Sequence, residues 1–309
     1  MADGQAEGGG FGPLAQVGYI WPGRSGMVTV SAVIPTFDRA AMVSEAVASV
    51  LSQRGADLEL VVVDDGSTDD TPAVLAGISD SRLRLAATSN RGVAAARNLG
   101  ASMARGRYVA FLDSDDTWLP GKIERQLAYM ADTGQAVSQT QEIWMRGGRR
   151  VNPRRVHLKK DGDFFRQALR LCLVSPSSVM IERDYLRQVG GFDEGLAACE
   201  DYDLWLRMLL RGPIGLLDEA LTVRRGGRPD QLSARFVGMD LFRIKSLAKI
   251  LATEKMSPWH RDCMEEELVC KARIYANGCC KRGRVDEAAR VWKLARQSLR
   301  DPDVPAHGA

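Results

Sequence analysis

Short apolar runs rich in β-branched residues alternate with helical segments between residues 28 and 112, and this alternation limits the possible folds more than any other feature of the sequence. Runs that are typical of buried strands lie at residues 28–34, 58–63 and 108–112, and Leu83 and Leu85 alternate with arginines in a further predicted strand. The segments between them place apolar residues at helical spacing, as Val43, Ala46 and Val47 do in the first segment. This rhythm predicts an α/β fold with a Rossmann-like, mostly parallel sheet flanked by helices.

Carboxylates follow three of these predicted strands. The first strand leads into residues 35–38 (Pro-Thr-Phe-Asp), the second into 64–67 (Asp-Asp-Gly-Ser) and the fourth into 113–116 (Asp-Ser-Asp-Asp). Ligands of open α/β sheets bind beyond the carboxyl ends of the strands. We therefore expect one edge of the sheet to carry a cluster of negative charge.

A divalent cation is the common way to offset such a cluster, because clustered carboxylates repel one another. Oxygen ligands suit Mg²⁺ or Mn²⁺, which are often shared with substrate phosphates. If residues 113–115 stay extended, Asp113 and Asp115 point the same way, so that one can face a metal and the other a sugar hydroxyl. A solvated turn is the alternative for an isolated Asp-x-Asp. Residues 113–115 follow an apolar strand, and two more strands upstream also end in acidic residues. This position favours a cation site over a solvated turn.

The composition excludes several other classes of protein. The chain of 309 residues has 42 Lys and Arg against 39 Asp and Glu, a net charge of +3, which gives no reason to expect a nucleic-acid partner. Its six Cys and three His show no metal-binding spacing and no disulfide framework, so a cytoplasmic location is expected. No apolar run approaches the ~18 residues of a membrane span, and no secretory signal is visible at the N-terminus.

The second half of the sequence is less regular. Residues 134–163 are locally basic, either as a solvated surface or with one or two side chains that contact an anionic substrate. Residues 240–299 are predicted to be helical throughout, with Gly283 between two apolar faces. This pattern resembles a single tetratricopeptide hairpin, which should pack on the main domain or on another subunit because one repeat cannot bury its own core.

Several motifs occur in an order that identifies a family resemblance. They lie at residues 33–39 (VIPTFDR), 62–69 (VVDDGSTD), 90–92 (NRG), 96–100 (ARNLG), 113–116 (DSDD), 191–194 (GFDE) and 200–205 (EDYDLW). From about Val30 to Arg207, the sequence resembles the glycosyltransferase family 2 enzymes, which have the GT-A fold.

The resemblance implies an inverting glycosyltransferase that moves a sugar from a nucleotide-diphosphate donor, a UDP-sugar, to a hydroxyl of a saccharide or lipid-linked acceptor in surface glycan or glycolipid biosynthesis. It implies that Asp115 and Asp113 bind Mg²⁺ or Mn²⁺, and that Asp201 is the catalytic base, with Glu200 as the alternative. The residues that it assigns to the nucleotide and donor are Pro35, Thr36, Asp38, Asp65, Asn90, Arg97, Asp113 and Ser114.

Three other functions fit the sequence less well than this one. A nucleotidyltransferase needs a Gly-rich basic loop after the first strand, and residues 35–38 contain no Gly. A dinucleotide-binding oxidoreductase is disfavoured for the same reason. A non-catalytic nucleotide-binding module of the same fold would be expected to lack Asp113, Asp115 or Asp201, all of which are present.

Five further side chains near these motifs allow two interpretations each. Trp118 and Trp205 either stack on a sugar ring or belong to the core. Arg224, Arg225 and Arg228 form either a charged loop or a segment that closes over the diphosphate.

The predicted domain organisation has three parts. Residues 1–26 are expected to be a flexible Gly-rich leader and residues 236–309 a C-terminal α-helical extension. Between them, residues 27–235 form the GT-A domain, with a nucleotide-binding half at 27–133 and an acceptor half at 134–235. Peripheral contact with the inner face of the membrane, and a homo-oligomer through the C-terminal helices, are further expectations.

Overall fold

The computed structural model describes residues 28–228, 231, 236 and 238–300. The predicted leader at residues 1–26 and the last nine residues of the predicted extension lie outside the described residues.

The strands of the described residues belong to one sheet. They are β1 (Val30–Thr36), β2 (Leu58–Asp64), β3 (Leu83–Ala87), β4 (Tyr108–Phe111), β5 (Thr117–Trp118), β6 (Val137–Arg146), β7 (Arg149–Val151), β8 (Val179–Glu182) and β9 (Gly215–Gly226). Their order is β3-β2-β1-β4-β8-β6-β9-β5, and β7 pairs with β6. The four strands β3, β2, β1 and β4 are parallel, which confirms the predicted sheet. Beyond β4, β8 runs antiparallel to both of its neighbours.

Helices cover this sheet on both faces. They are α1 (Ala40–Leu51), α2 (Thr71–Ala76), α3 (Val93–Met103), α4 (Lys122–Thr133), α5 (Phe165–Arg170), α6 (Arg183–Val189), α7 (Glu200–Leu209), α8 (Asp240–Thr253), α9 (Pro258–Cys280) and α10 (Val285–Ser298). Successive residues of β1 point to opposite faces, so Ile34 packs with α1 whereas Val33 packs in the larger core with α7. Among the described helices, none has both the length and the apolar character needed to cross a bilayer.

The C-terminal segment forms three helices rather than one continuous helical stretch. Short connections at residues 254–257 and 281–284 separate α8, α9 and α10. Ile244 and Leu247 of α8 share a core with Tyr202 of α7 and Phe111 of β4, and Leu268 of α9 belongs to the same cluster. The helices therefore pack on the main sheet domain, which is one of the two arrangements that the sequence predicted.

Two glycines allow close approaches that shape the ligand-binding edge of the sheet. A Cβ at Gly100 would collide with the side chain of Val33, so only glycine lets α3 lie this close to β1. Gly66 has φ +79°, and a Cβ there would lie 2.8 Å from the backbone nitrogen of Asn90. The loop after β2 therefore packs directly against the loop that leads into α3.

Candidate active site

A cleft of about 320 Å³ opens at the carboxyl ends of β1, β2 and β4. The predicted site residues that line it are Pro35, Thr36, Asp65, Asn90, Arg97, Asp113, Ser114, Asp115, Glu200 and Asp201. The first eight come from the parallel half of the sheet with its loops and helices, and the last two from the start of α7, about 85 residues further along the chain. The fold therefore gathers distant acidic motifs at one edge.

Asp38 is the predicted donor-binding residue that does not line this cleft. Its Oδ1 accepts hydrogen bonds from the backbone N–H groups of Thr68, at 2.7 Å, and Asp69, at 3.4 Å. Its own N–H donates to Ser67 Oγ at 2.9 Å, and its φ of +50° is one that Asp tolerates better than most residues. The structure thus shows Asp38 holding the 67–69 loop, and its contact with the donor stays a prediction.

The acidic segment after β4 is a turn and not the extended chain that the sequence analysis assumed. The Asp116 N–H donates to the Asp113 carbonyl at 2.9 Å, which closes the turn. As a result, one carboxylate oxygen from each of Asp113, Asp115 and Asp116 lies within 4.8 Å of the others. A set of three carboxylate oxygens at this spacing fits Mg²⁺ or Mn²⁺. The sequence predicted only Asp113 and Asp115 as metal ligands, because an extended segment would point alternate side chains in the same direction.

The electrostatics of this cluster disfavour three negative charges. Burial raises the pKa of Asp115, the charge of Asp113 adds to this, and Arg228 opposes it through an ion pair of 2.5 Å. Burial and the charges of Asp115 and Asp113 hold the pKa of Asp116 well above its ordinary value. Asp116 also accepts hydrogen bonds from Ser177 Oγ at 2.6 Å and from the Arg225 N–H at 2.8 Å. These hydrogen bonds connect the acidic turn to neighbouring segments through Asp116. A bound cation would reduce the repulsion among the three carboxylates.

Arg97 connects the two acidic motifs. It lies on α3 with 5% of its side chain exposed, and it donates to Asp113 Oδ1 at 2.7 Å and to Glu200 Oε1 at 2.6 Å. Its guanidinium carbon lies 5.1 Å from the ring centre of Phe192. Although burial disfavours its charged form, Asp113 and Glu200 raise the pKa of Arg97. The side chain predicted to contact the donor thus fixes the position of two carboxylates.

Glu200 and Asp201, which begin α7, differ in their surroundings. Glu200 is 4% exposed and pairs with Arg97, and burial followed by the charge of Asp201 raises its pKa. Asp201 is half-buried and makes no ion pair within the part of the chain that the structure describes. Its Oδ1 accepts from the Tyr202 N–H at 2.7 Å, and its Oδ2 accepts from the Cys172 thiol at 3.4 Å. Of the two acids, Asp201 has the carboxylate left for a ligand.

Asp65 and the start of α3 form the opposite end of the cleft. The two carboxylate oxygens of Asp65 accept hydrogen bonds from the backbone N–H groups of Arg91, at 2.8 Å, and Gly92, at 2.7 Å. These bonds satisfy backbone donors at the beginning of the helix. They also hold Asp65 rigidly at the cleft wall, beside the exposed Asn90.

Basic residues of β9 line the side of the cleft that faces the acidic turn. Arg224 and Arg225 contribute to the wall, and Arg228 contacts Asp115. The structure therefore places Arg224 and Arg225 in the cleft wall and Arg228 against Asp115, while closure of this segment over the diphosphate stays a prediction. Arg39 also lines the cleft. The sequence analysis did not predict it as a site residue, although it is the last residue of the motif at 33–39.

The two tryptophans considered for sugar stacking belong to the core. Trp118 and Trp205 are 3% and 2% exposed. The Trp118 indole N–H donates to the Ser177 carbonyl at 2.7 Å, and Trp205 packs against Phe192. The stacking interpretation is therefore wrong, and the core interpretation holds.

Comparison with known proteins agrees with this geometry. Residues 31–190, more than half of the chain, match the family Glycosyl transferase family 2. An uncharacterized glycosyltransferase of Rickettsia felis is 34% identical over 200 residues, which are 62% of this chain but 32% of that protein, so the chain spans about a third of the length of this relative. The UDP-Glc:alpha-D-GlcNAc-diphosphoundecaprenol beta-1,3-glucosyltransferase WfgD of Escherichia coli is 33% identical over 189 residues, 58% of this chain and 69% of WfgD.

Solved structures share the fold at low sequence identity. Staphylococcus aureus TarS in complex with UDP-GlcNAc superposes with a TM-score of 0.72 at 19% identity, covering 88% of this chain and 82% of the TarS chain. The mannosyltransferase PcManGT of Pyrobaculum calidifontis, in complex with GDP-Man and Mn²⁺, gives a TM-score of 0.61 at 19% identity, covering 90% and 78%.

Proposed function

The chain belongs to glycosyl transferase family 2 and has the GT-A fold, and we propose that it is an inverting, metal-dependent transferase that moves a sugar from a UDP-sugar to a hydroxyl of a saccharide or lipid-linked acceptor. The observation that carries this proposal is the single cleft in which the acidic turn, Arg97 and Asp201 meet. WfgD, whose name specifies a UDP-glucose donor and a diphosphoundecaprenol acceptor, supports both substrate classes.

The donor lies along the cleft from Asp65 to the acidic turn. Asp65 and Asn90 would contact the nucleoside, and Asp113 and Asp115 would hold Mg²⁺ or Mn²⁺. When bound, such a cation neutralises the charge that develops on the departing diphosphate. Arg225 and Arg228 add positive charge on the same side.

Asp201 accepts the proton of the attacking hydroxyl. This assignment rests on the contrast between its carboxylate, which makes no ion pair within the described residues, and that of Glu200, which Arg97 holds. A base on the face opposite the leaving group favours inversion, because the acceptor then attacks from that side. Glu200 and Arg97 act as positioning residues that fix the start of α7 relative to the acidic turn.

The Cys172 thiol is expected to help orient this base. Burial, and then the nearby Asp201, raise the pKa of Cys172 well above its ordinary value, so the thiol stays protonated. Its S–H group can donate a hydrogen bond to the Asp201 carboxylate, at 3.4 Å, or to the Val174 carbonyl, at 3.3 Å. We expect Cys172→Val to lower kcat by up to about tenfold, equivalent to one modest hydrogen bond, with the donor KM unchanged. The exposed Cys280→Val is the matched control. Equal kcat values for both variants would contradict the role of Cys172.

Removing one metal ligand tests the cation site. Asp115→Asn keeps the size of the side chain but removes a charge, and we expect the affinity for UDP in the presence of Mn²⁺ to fall about tenfold or more. Affinity for UDP in the presence of a chelator should change little. Calorimetric titration measures both values. An Asp115→Asn variant that binds UDP and Mn²⁺ as tightly as the wild type would show that Asp115 is not a ligand.

A screen of nucleotide sugars tests the reaction class. The proposal predicts slow release of the nucleoside diphosphate from one UDP-sugar when Mn²⁺ is present and no acceptor is added. A nucleotidyltransferase would instead release pyrophosphate from a nucleoside triphosphate and a sugar phosphate. A non-catalytic binding module would release neither product.

A further inference from the structure

A basic and apolar surface lies on the β6–β7 hairpin and the short 3-10 turn that follows it, Arg155–His157. This hairpin surface consists of Arg146, Arg149, Arg150, Val151, Arg154, Arg155, Val156 and Leu158. All eight residues are exposed, and the exposed fractions of Val151, Val156 and Leu158 are 36%, 67% and 44%. Aliphatic side chains concentrated at this exposure are typical of an interaction surface.

The charge of the hairpin surface has no internal compensation. Residues 146–160 contain no Asp or Glu. Within the described part of the chain, none of the five arginines forms an ion pair with a carboxylate. Other exposed arginines do form such pairs, for example Arg107 with Glu182 and Arg187 with Asp184. The five guanidinium groups are therefore available to an external anionic partner.

The hairpin surface lies beside the active-site cleft. Val151 pairs with Trp144 across the hairpin, and the ring centres of Trp144 and His157 are 5.7 Å apart, which brings the 3-10 turn back onto Trp144. The Arg224 guanidinium carbon lies 5.3 Å from the Trp144 ring centre, and Arg224 lines the cleft. One aromatic side chain thus separates the hairpin surface from the site.

We propose that the hairpin surface docks on a bilayer that contains anionic phospholipid and thereby holds the cleft next to lipid-linked molecules in that bilayer. Arginines are attracted to anionic headgroups, and aliphatic side chains among them enter the boundary between headgroups and acyl chains. A soluble polyanion would engage the arginines but leave Val156 and Leu158 in water. The docking does not depend on catalysis, whereas its use for a lipid-linked acceptor rests on the proposed function.

Vesicle flotation tests the docking without any activity measurement. The full chain is mixed with vesicles of phosphatidylglycerol and phosphatidylcholine in equal parts, or of phosphatidylcholine alone. We expect the wild type to float with the anionic vesicles only. Arg154→Glu with Arg155→Glu, and separately Val156→Glu with Leu158→Glu, should each lower the partition coefficient by about tenfold or more.

A matched pair of substitutions controls for general changes in charge and hydropathy. Arg273→Glu with Ile274→Glu alters an exposed arginine and an exposed isoleucine on α9, and we expect it to leave flotation unchanged. Unchanged melting temperatures would confirm that the variants are folded. The proposal would be overturned if the wild type did not float with anionic vesicles, or if the control pair lost as much binding. It would also be overturned if the arginine pair abolished binding while the Val156 and Leu158 pair had no effect, because the surface would then bind anions by charge alone, as it would a soluble polyanion, without entering the bilayer.

Discussion

Asp201→Asn is expected to lower kcat by about 10²- to 10⁴-fold while leaving the binding of UDP and Mn²⁺ within about twofold of the wild type. The substitution keeps the shape of the side chain and its acceptor toward the Tyr202 N–H, but it removes the basicity needed to accept a proton. The measurement is the rate of UDP release from the active donor, together with a calorimetric titration of UDP. Asp132→Asn, an exposed site on α4 outside the cleft, is the control.

The companion variant Glu200→Gln separates the base from the residue that positions it. It retains an oxygen that accepts from Arg97, so we expect a smaller loss of kcat than for Asp201→Asn. If Asp201→Asn retained wild-type turnover while Glu200→Gln lost it, the assignment of the base would be reversed.

Arg97→Met is expected to lower the free energy of unfolding by about 3–5 kcal/mol and to abolish turnover. The substitution leaves the buried Glu200 without its cationic partner, and it removes the connection to Asp113. Denaturant unfolding measures the loss of stability. Arg125→Met, which breaks the exposed pair with Glu219, is the matched control and should cost less than about 1 kcal/mol.

A double variant shows whether the cost arises from the unpaired carboxylate. Combining Arg97→Met with Glu200→Gln removes the buried charge as well as its partner, so the double variant should be less destabilised than the sum of the two single variants. Additive losses would mean that Arg97 stabilises the fold through its contacts with Asp113 and Phe192 and not through the ion pair with Glu200.

The parallel half of the fold and the acidic residues at the ends of its strands were predictable from the sequence because their signals are local. An apolar run that leads into Asp64 or Asp113 indicates both a buried strand and the chemistry at its end, and the parallel topology then places these ends at one edge. The confirmed GT-A fold follows from this logic and from the order of the motifs.

Features that depend on the folded arrangement of the backbone and side chains were not predictable in this way. Arg97 and Glu200 are 103 residues apart in sequence, so no local pattern indicated that one neutralises the other. The turn that adds Asp116 to the cluster depends on a backbone hydrogen bond that composition does not reveal. The side chain of Asp38 turned toward the 67–69 loop because that loop offers backbone donors, and this too required the folded arrangement.

The melting temperature of the full chain with UDP, with Mn²⁺ and with both together tests most directly whether the acidic edge holds a cation and a diphosphate. Ligands that bind only the folded state raise its stability according to their affinity, so a shared site predicts that the two ligands together raise the melting temperature by more than the sum of their separate effects. Asp115→Asn should abolish this excess. If the increase in melting temperature with both ligands did not exceed the sum of the two separate increases, a shared cation and diphosphate site in this cleft would be contradicted.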